Sequence, residues 1–564
     1  MRLLLYLCVA SLAAAQQQGS QQSAQRTAQQ QALCTIEGVV RQADTGEPLK
    51  KALLTAFAST PRGNGPMNPV TASTDAEGKF RLTNIEPGQY RLVAERSGYV
   101  RMEHGARKPN QPGTPLTLKS GDELKNVELK LVRHAVVTGR ITDEDGDPVQ
   151  SAQVQLMRYT FVRGRRQLVP VSGGSSNDLG EYRLFGIAPG KYYLSVSHRA
   201  GGPFGAMMMR GGGRGGPGGG IAPSADQNYA PMYFPGTFEL DSATLLEIPV
   251  GSDMRGVDMR LLRTRTYRVS GRVVAQSEGR RGGMVMLVPK SSAGFGFGDR
   301  MAAPWRPNTG TFEIQGVRPG SYNLVVQSFD GQNRMSARVP VEVGEGDVTD
   351  VAITPVPGSD LSGVVRVQDK ASIDLQSLRV QLSPRETGPF GGFGASPVQA
   401  DGKFIVNNVT AGQYDISITG LSENAYVKAV RYGEADALAT GVDLSGGSAG
   451  LLDVVISPNG AAVSGSVADN DGNPKSGATV LLVPTADRHQ RLDLYKTANS
   501  DQSGAFRFAG VAPGDYLLFA LEDHERGAEY DPKYVEQFSS SAEKLSMREG
   551  ATETKALKLL APPN

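Results

Sequence analysis

One pattern recurs five times along this 564-residue chain and narrows what it can fold into. It reads glycine, aromatic, apolar, apolar, glycine, tyrosine, apolar, with fixed spacing between the seven positions. The copies are Gly78, Phe80, Leu82, Ile85, Gly88, Tyr90, Leu92; Gly180, Tyr182, Leu184, Ile187, Gly190, Tyr192, Leu194; and Gly310, Phe312, Ile314, Val317, Gly320, Tyr322, Leu324. Gly402, Phe404, Val406, Val409, Gly412, Tyr414, Ile416 and Gly504, Phe506, Phe508, Val511, Gly514, Tyr516, Leu518 complete the set. No copy has a gap, and successive copies start 102, 130, 92 and 102 residues apart. Intervals of that size make each copy a domain, not one turn of a solenoid.

Each copy reads as two strands joined by a tight turn. Phe80 and Leu82 are two apart and face one side of a strand; so do Tyr90, Leu92 and Ala94, with Arg91 and Glu95 facing away. Pro87-Gly88, Pro189-Gly190, Pro319-Gly320 and Pro513-Gly514 supply the turn, with Ala411 replacing proline in the fourth copy. Proline presets φ and glycine accepts a positive one. The tyrosine after the turn resembles the tyrosine corner of immunoglobulin-like sandwiches. Gly78, Tyr90, Gly180, Tyr192, Gly310, Tyr322, Gly402, Tyr414, Gly504 and Tyr516 are therefore expected to be structural.

A second motif, apolar-x-Gly-x-apolar, opens each copy at Ile36–Val40, Val137–Ile141, Val269–Val273, Leu361–Val365 and Val463–Val467. In copies one, two and five a turn follows (Asp44–Pro48, Asp145–Pro148, Asp471–Pro474), then a strand with a small residue, Ala52, Ala152 or Ala478. Each copy closes on an alternating strand such as Val127–Leu131 or Val257–Leu261. Short alternating strands with regular turns predict an all-β fold of five tandem immunoglobulin-like or prealbumin-like antiparallel β-sandwiches. The expected boundaries are 34–132, 133–264 (with a Gly/Met-rich insertion at 200–222), 265–356, 357–457 and 458–564. No stretch reads as a long amphipathic helix.

These motifs resemble the carboxypeptidase regulatory-like domain family, a transthyretin-like sandwich related to Cna-B surface repeats and starch-binding-like folds. The resemblance is clearest at Gly139–Ala152 and Gly465–Ala478, and the Gly-x-Phe…Pro-Gly-x-Tyr half is present in all five copies with Tyr182 and Ala411 as the departures. The third and fourth copies lack the Asp-Gly-x-Pro turn. The resemblance implies an exported accessory, adhesive or ligand-binding module and no peptidase activity. Isopeptide cross-links of the Cna-B type need a buried lysine in register, and no lysine repeats at matching positions.

Residues 1–15 read as a cleavable signal peptide, with Arg2, the apolar run Leu3–Leu12, and Ala13 and Ala15 before a cut ahead of Gln16. The alternatives are an uncleaved anchor or a buried strand. Residues 16–33 form a Gln-rich linker. The expected location is periplasmic, extracellular or on the cell surface, with no transmembrane segment in the mature chain. Once Cys8 leaves with the signal, Cys34 has no disulfide partner; a lipid site there competes with the plainer role of a small apolar residue starting a strand. The near-balance of 59 basic and 57 acidic residues argues against nucleic acid as a partner.

Tests for chemistry return nothing catalytic, no metal and no cofactor. His104, His134, His198, His489 and His524 form no zinc motif and read as scattered surface residues. Gly446–Gly450 matches Gly-x-Ser-x-Gly but precedes a strand, whereas a nucleophile elbow precedes a helix. Asp143–Asp147 and Asp469–Asn473 miss the calcium-loop signature and read as hairpin turns. The candidate ligand-binding residues are loop aromatics: Tyr229 and Tyr233, Tyr530 and Tyr534, Phe295, Phe297 and Trp305, Phe390 and Phe393. Tyr229–Tyr233 and Tyr530–Tyr534 share Tyr-x-Pro-x-Tyr and are expected in the same place in copies two and five. Such rings stack on sugars or anchor a protein interface, or else they cover the open end of their own sandwich. Three functions follow: a non-catalytic binding, adhesion or scaffold protein, a carbohydrate-binding accessory protein, or a spacer.

Overall fold

The computed structural model describes residues 32–59, 69–109, 111–162, 165–198, 229–274, 283–290, 301–306, 308–330, 333–370, 373–385, 394–447 and 450–561. The expected signal peptide, most of the expected Gln-rich linker (up to residue 31) and the expected insertion at 200–222 lie outside them. Two compact units are present. One is Met1–Arg133 with Lys475–Gly477 and Asn499–Gly504; the other is His134–Pro474 with Ala478–Ala498 and Ala505–Asn564.

In the first unit, the opening strand Cys34–Gln42 is the middle of a three-stranded sheet. The aromatic strand Lys79–Ile85 lies antiparallel on one side and the closing strand Glu123–Leu131 parallel on the other. In the second sheet Leu53–Ala58 pairs antiparallel with the tyrosine strand Gly88–Glu95 and, on its far side, with Val70–Ser73. The inward positions Ile36, Val40, Leu54, Phe80, Leu82, Leu92 and Leu129 form one buried cluster. The period-two alternation is what allows this: every second side chain leaves water, and the charged neighbours stay in it.

In the second unit the same order recurs from the opening strands Ala135–Thr142, Tyr267–Val273, Ser359–Val367 and Ala461–Ala468. Each pairs antiparallel with its aromatic strand and parallel with its closing strand. Four more buried clusters result, within 135–261, 267–353, 361–456 and 461–557, the last joined by Tyr426.

The sheets differ from the expected antiparallel pattern at one place in every copy. The closing strand runs parallel to the opening strand because the chain crosses back from the second sheet before it closes, and only a crossover can deliver a parallel neighbour. Two copies add variations. In copy four Tyr426–Tyr432 joins the first sheet beside Leu452–Ser457. In copy five the end of the closing strand Thr552–Leu560 also pairs with the tyrosine strand, at Ala520–Leu559 and Leu521–Leu560, uniting both layers in one seven-stranded sheet.

Candidate ligand-binding surface

The repeated motif residues are occupied in holding each sandwich together. The five motif tyrosines each donate a hydroxyl hydrogen bond to the carbonyl four residues back: Tyr90 to Glu86 (2.9 Å), Tyr192 to Ala188 (2.7 Å), Tyr322 to Arg318 (2.9 Å), Tyr414 to Thr410 (2.7 Å) and Tyr516 to Ala512 (2.8 Å). This bond fastens the turn to the strand that leaves it. Burial pushes the Tyr516 phenol up to about 12, and raises Tyr192 and Tyr414 as well.

The opening glycine has a steric reason. A Cβ on Gly38, Gly139, Gly271 or Gly465 would sit 1.8–2.1 Å from a carbonyl oxygen of the closing strand, and on Gly363 2.6 Å from one. In copies one, two, four and five the aromatic ring of the motif lies over the same glycine, Phe506 Cε1 being 2.9 Å from the Cβ position at Gly465. A second device is shared by all five copies. The residue before the last apolar position of the aromatic strand has positive φ, at Asn84, Gly186, Gly316, Asn408 and Gly510. It makes a bulge, visible as a register shift against each opening strand. Every occupant is asparagine or glycine, the residues that tolerate this conformation.

Two further repeated devices went unread in the sequence. Buried hydroxyls tie the small-residue strand to the turn before it: Thr74 Oγ1 donates to Leu49 O (2.6 Å) and accepts from Ala52 N–H (2.8 Å). Ser176 does the same between Val149 O and Ala152 N–H, and Ser500 donates to Lys475 O. These are the copies that carry the Asp-Gly-x-Pro turn. Asp75, Asn177 and Asp501, three residues before the motif glycine, accept backbone N–H bonds from the turn they start. The readable signal was Thr/Ser-Asp/Asn-x-x-Gly.

The aromatic candidates divide. Trp305 is 4% exposed and belongs to the core of copy three, where a Cβ on Gly283 would meet its ring at 2.3 Å. Tyr233 is 5% exposed, and Tyr229, Tyr530 and Tyr534 are half-buried. Phe295, Phe297, Phe390 and Phe393 lie outside the described residues. The two Tyr-x-Pro-x-Tyr segments fold differently. Tyr229–Tyr233 is an edge strand paired with Gly190–His198, whereas Pro532–Glu536 is a short helix after a 3-10 turn at Ala528–Tyr530. The helix packs on one face of the tyrosine-strand sheet of copy five, whereas Tyr229–Tyr233 extends the sheet of copy two at its edge. Tyr233 packs with Met157, Leu168 and Leu240, and Tyr534 with the cluster of Leu481, Val483, Phe519 and Phe538.

Under that helical cover lies a polar cluster. His524 is buried, not a surface residue as expected, because the segment after the tyrosine strand of copy five folds back over it. Its Nε2 is 2.9 Å from Glu529 Oε2 and its Nδ1 3.2 Å from the Tyr534 hydroxyl; the Gly527 N–H also donates to Glu529. Burial pushes the Glu529 carboxyl up, but His524 and the backbone N–H bonds outweigh it and hold it below the usual range. Burial and the Glu529 charge push Tyr534 up to about 12. The other four histidines are half-buried, and burial lowers His104 and His198, whose Nδ1 atoms have no hydrogen-bond partner among the described residues.

The acidic strings act as hairpin turns. Asp143 Oδ1 accepts from the N–H of Asp145 and Asp147, and Asp469 Oδ1 from Asp471 and Asn473. Among the described residues no group of three or more His, Cys, Asp or Glu is placed to hold a metal ion. The Gly446–Gly450 segment runs into the strand Leu452–Ser457; its Ser448 lies outside the described residues. Cys34 is buried, with Sγ 2.9 Å from Lys119 O. Among the described residues no helix is long and apolar enough to cross a membrane.

The carboxypeptidase regulatory-like domain family matches residues 35–130 and 462–545, which are copies one and five. No curated protein matches the chain. Among solved structures, the Bacillus anthracis TIE protein is similar at 13% identity over 58% of this chain and 51% of its own, with a TM-score of 0.16. GBS52, the minor pilin of Streptococcus agalactiae, is similar at 12% identity over 42% of this chain and 97% of its own, with a TM-score of 0.22. BcpA, the major pilin subunit of Bacillus cereus, is similar at 9% identity over 93% of this chain and 99% of its own, with a TM-score of 0.13. Scores this low carry no function across.

Proposed function

We propose, for a chain whose residues 35–130 and 462–545 match the carboxypeptidase regulatory-like domain family, that it is an exported, non-catalytic surface or scaffold protein whose sandwich copies hold binding surfaces for other macromolecules. The observation that carries the reading is the use of the repeated residues. In all five copies the motif tyrosine is spent on a backbone carbonyl. The opening glycine is spent on strand contact in the same way, so what repeats is architecture, and recognition belongs to the parts that vary between copies. The test is fractionation of the producing cells together with turnover assays on peptide, ester and glycan substrates. Recovery in an exported fraction with no turnover is expected. Turnover abolished by one point substitution, or retention in the cytoplasm, would overturn the reading.

A carbohydrate-binding role for the loop aromatics is the finer alternative. With Trp305 and Tyr233 in buried clusters, it rests on Tyr229, Tyr530, Tyr534 and the four phenylalanines. A glycan array on the protein from Gln16 onward, repeated with Tyr229→Ala, separates the two: saturable binding lost in the variant favours sugar.

A further inference from the structure

Domains in one chain move against each other by default unless the interface between them is large and hydrophobic. The joint between copies four and five is built against such movement. Only Pro458, Asn459 and Gly460 separate the closing strand of one, Leu452–Ser457, from the opening strand of the next, Ala461–Ala468. Even these are tied down: Gly460 N–H donates to Asn424 O (2.8 Å), and Gly550 N–H to Asn459 O (2.8 Å). Backbone meets backbone so closely that a Cβ on Gly460 would lie 2.5 Å from Asn424 O and 2.6 Å from Gly510 Cα.

The side chains complete the joint. Tyr426 begins the extra strand of copy four, yet it is 7% exposed and belongs to the buried cluster of copy five. Its hydroxyl donates to Glu549 Oε1 of copy five (3.2 Å), which also accepts from Ser457 of copy four, while Lys428 Nζ stands 3.7 Å from Glu549 Oε2. Arg507 and Glu423 make an exposed pair at 3.5 Å that adds little.

We infer that copies four and five move and open as a single rigid body, with Tyr426 as the pin and Gly460 as the hinge position that has been closed. The fixed angle gives the proposed scaffold a stiff two-copy arm, and the inference stands whether or not the scaffold reading does.

The test uses the full-length protein in a Cys8→Ala, Cys34→Ala background, with spin labels at Ala400→Cys in copy four and Asp471→Cys in copy five. A control pair at Asp471→Cys and Lys544→Cys lies within copy five. Pulsed electron-electron resonance should give a distance distribution across the joint as narrow as the control, and Gly460→Ala should broaden it at least two-fold while leaving the control unchanged. A wild-type distribution already as broad as the variant's overturns the inference. Hydrogen exchange gives a second readout. Tyr426→Ala should raise exchange in the copy-five strand Ala461–Ala468 by roughly ten-fold, the loss expected for one buried ring. An effect confined to copy four would also overturn it.

Discussion

Gly465→Ala should be far more damaging than its one added methyl suggests. The new Cβ would lie 1.8 Å from Lys555 O and 2.9 Å from the Phe506 ring, and the nearer obstacle is backbone. Ordinary contact begins near 3.4 Å, so the closing strand must retreat by about 1.6 Å, which takes nearby ladder bonds beyond hydrogen-bonding range. The strand cannot swing aside, because its far end is paired to the tyrosine strand at Leu559 and Leu560. Two ladder bonds at ~1 kcal/mol each and overpacking of at least ~1 kcal/mol give a cost of about 3 kcal/mol. Hydrogen exchange by mass spectrometry on the whole chain reads this locally. Amides in Ala461–Ala468 and Thr552–Leu560 should exchange about a hundred-fold faster, and copy one should not change. Gly472→Ala is the control: its φ is +85° with nothing within 4 Å of the Cβ position, so it carries backbone strain alone, roughly 1–2 kcal/mol. If Gly465→Ala exchanges no faster than Gly472→Ala, the close approach of the two strands is not what fixes that glycine.

Tyr516→Phe keeps the ring and removes the bond to Ala512 O; a loss of about 1 kcal/mol confined to copy five is expected in exchange or urea unfolding. Raised tyrosine values favour the protonated, folded form below the unfolded value near 10, and this contribution disappears as pH rises through the folded value. Tyrosinate absorbance should therefore show Tyr516 and Tyr534 titrating near 12, with the fold weakening between about 10 and 12; both phenols ionising near 10 in the folded protein would contradict it. Glu529 has the opposite sign, since its lowered value contributes above about 4.3 and is lost as pH falls below it. Glu529→Gln should thus destabilise copy five at pH 7 by thermal unfolding, with the gap to wild type closing in acid. Asn84→Gly should be nearly neutral and Asn84→Ala should cost roughly 1 kcal/mol, because the position requires positive φ.

Much of the fold was legible because it is written in period two. Phe80, Leu82, Tyr90 and Leu92 face inward as their spacing says, and the tyrosine after the turn bonds back as the corner analogy predicts. Strand direction was not legible, since alternation looks the same for a parallel and an antiparallel neighbour; only the crossover to Glu123–Leu131 decides it. The Asn/Gly bulge was present in all five copies and readable, but it needed attention to an outward-facing position. The differing folds of the two Tyr-x-Pro-x-Tyr segments were not legible for another reason. Pro231 sits in an edge strand, where a missing N–H is tolerated, while Pro532 follows the capping Asp531 and starts a helix. The same five-residue spelling gave two structures, because the residues around it set the choice. Likewise nothing local to His524 announces burial; the cover supplied by Ala528–Phe538 is a tertiary event.

The parallel neighbours at the heart of every copy bear on tension. The opening and closing strands lie near the two ends of each copy, so a pull from end to end drags them along their length in opposite directions. Their cross-links, such as the seven-position register from Ala462–Thr552 to Ala468–Lys558, are then loaded together in shear and not peeled one at a time. A chain of such copies resists stretching far better than one whose end strands are unzipped bond by bond.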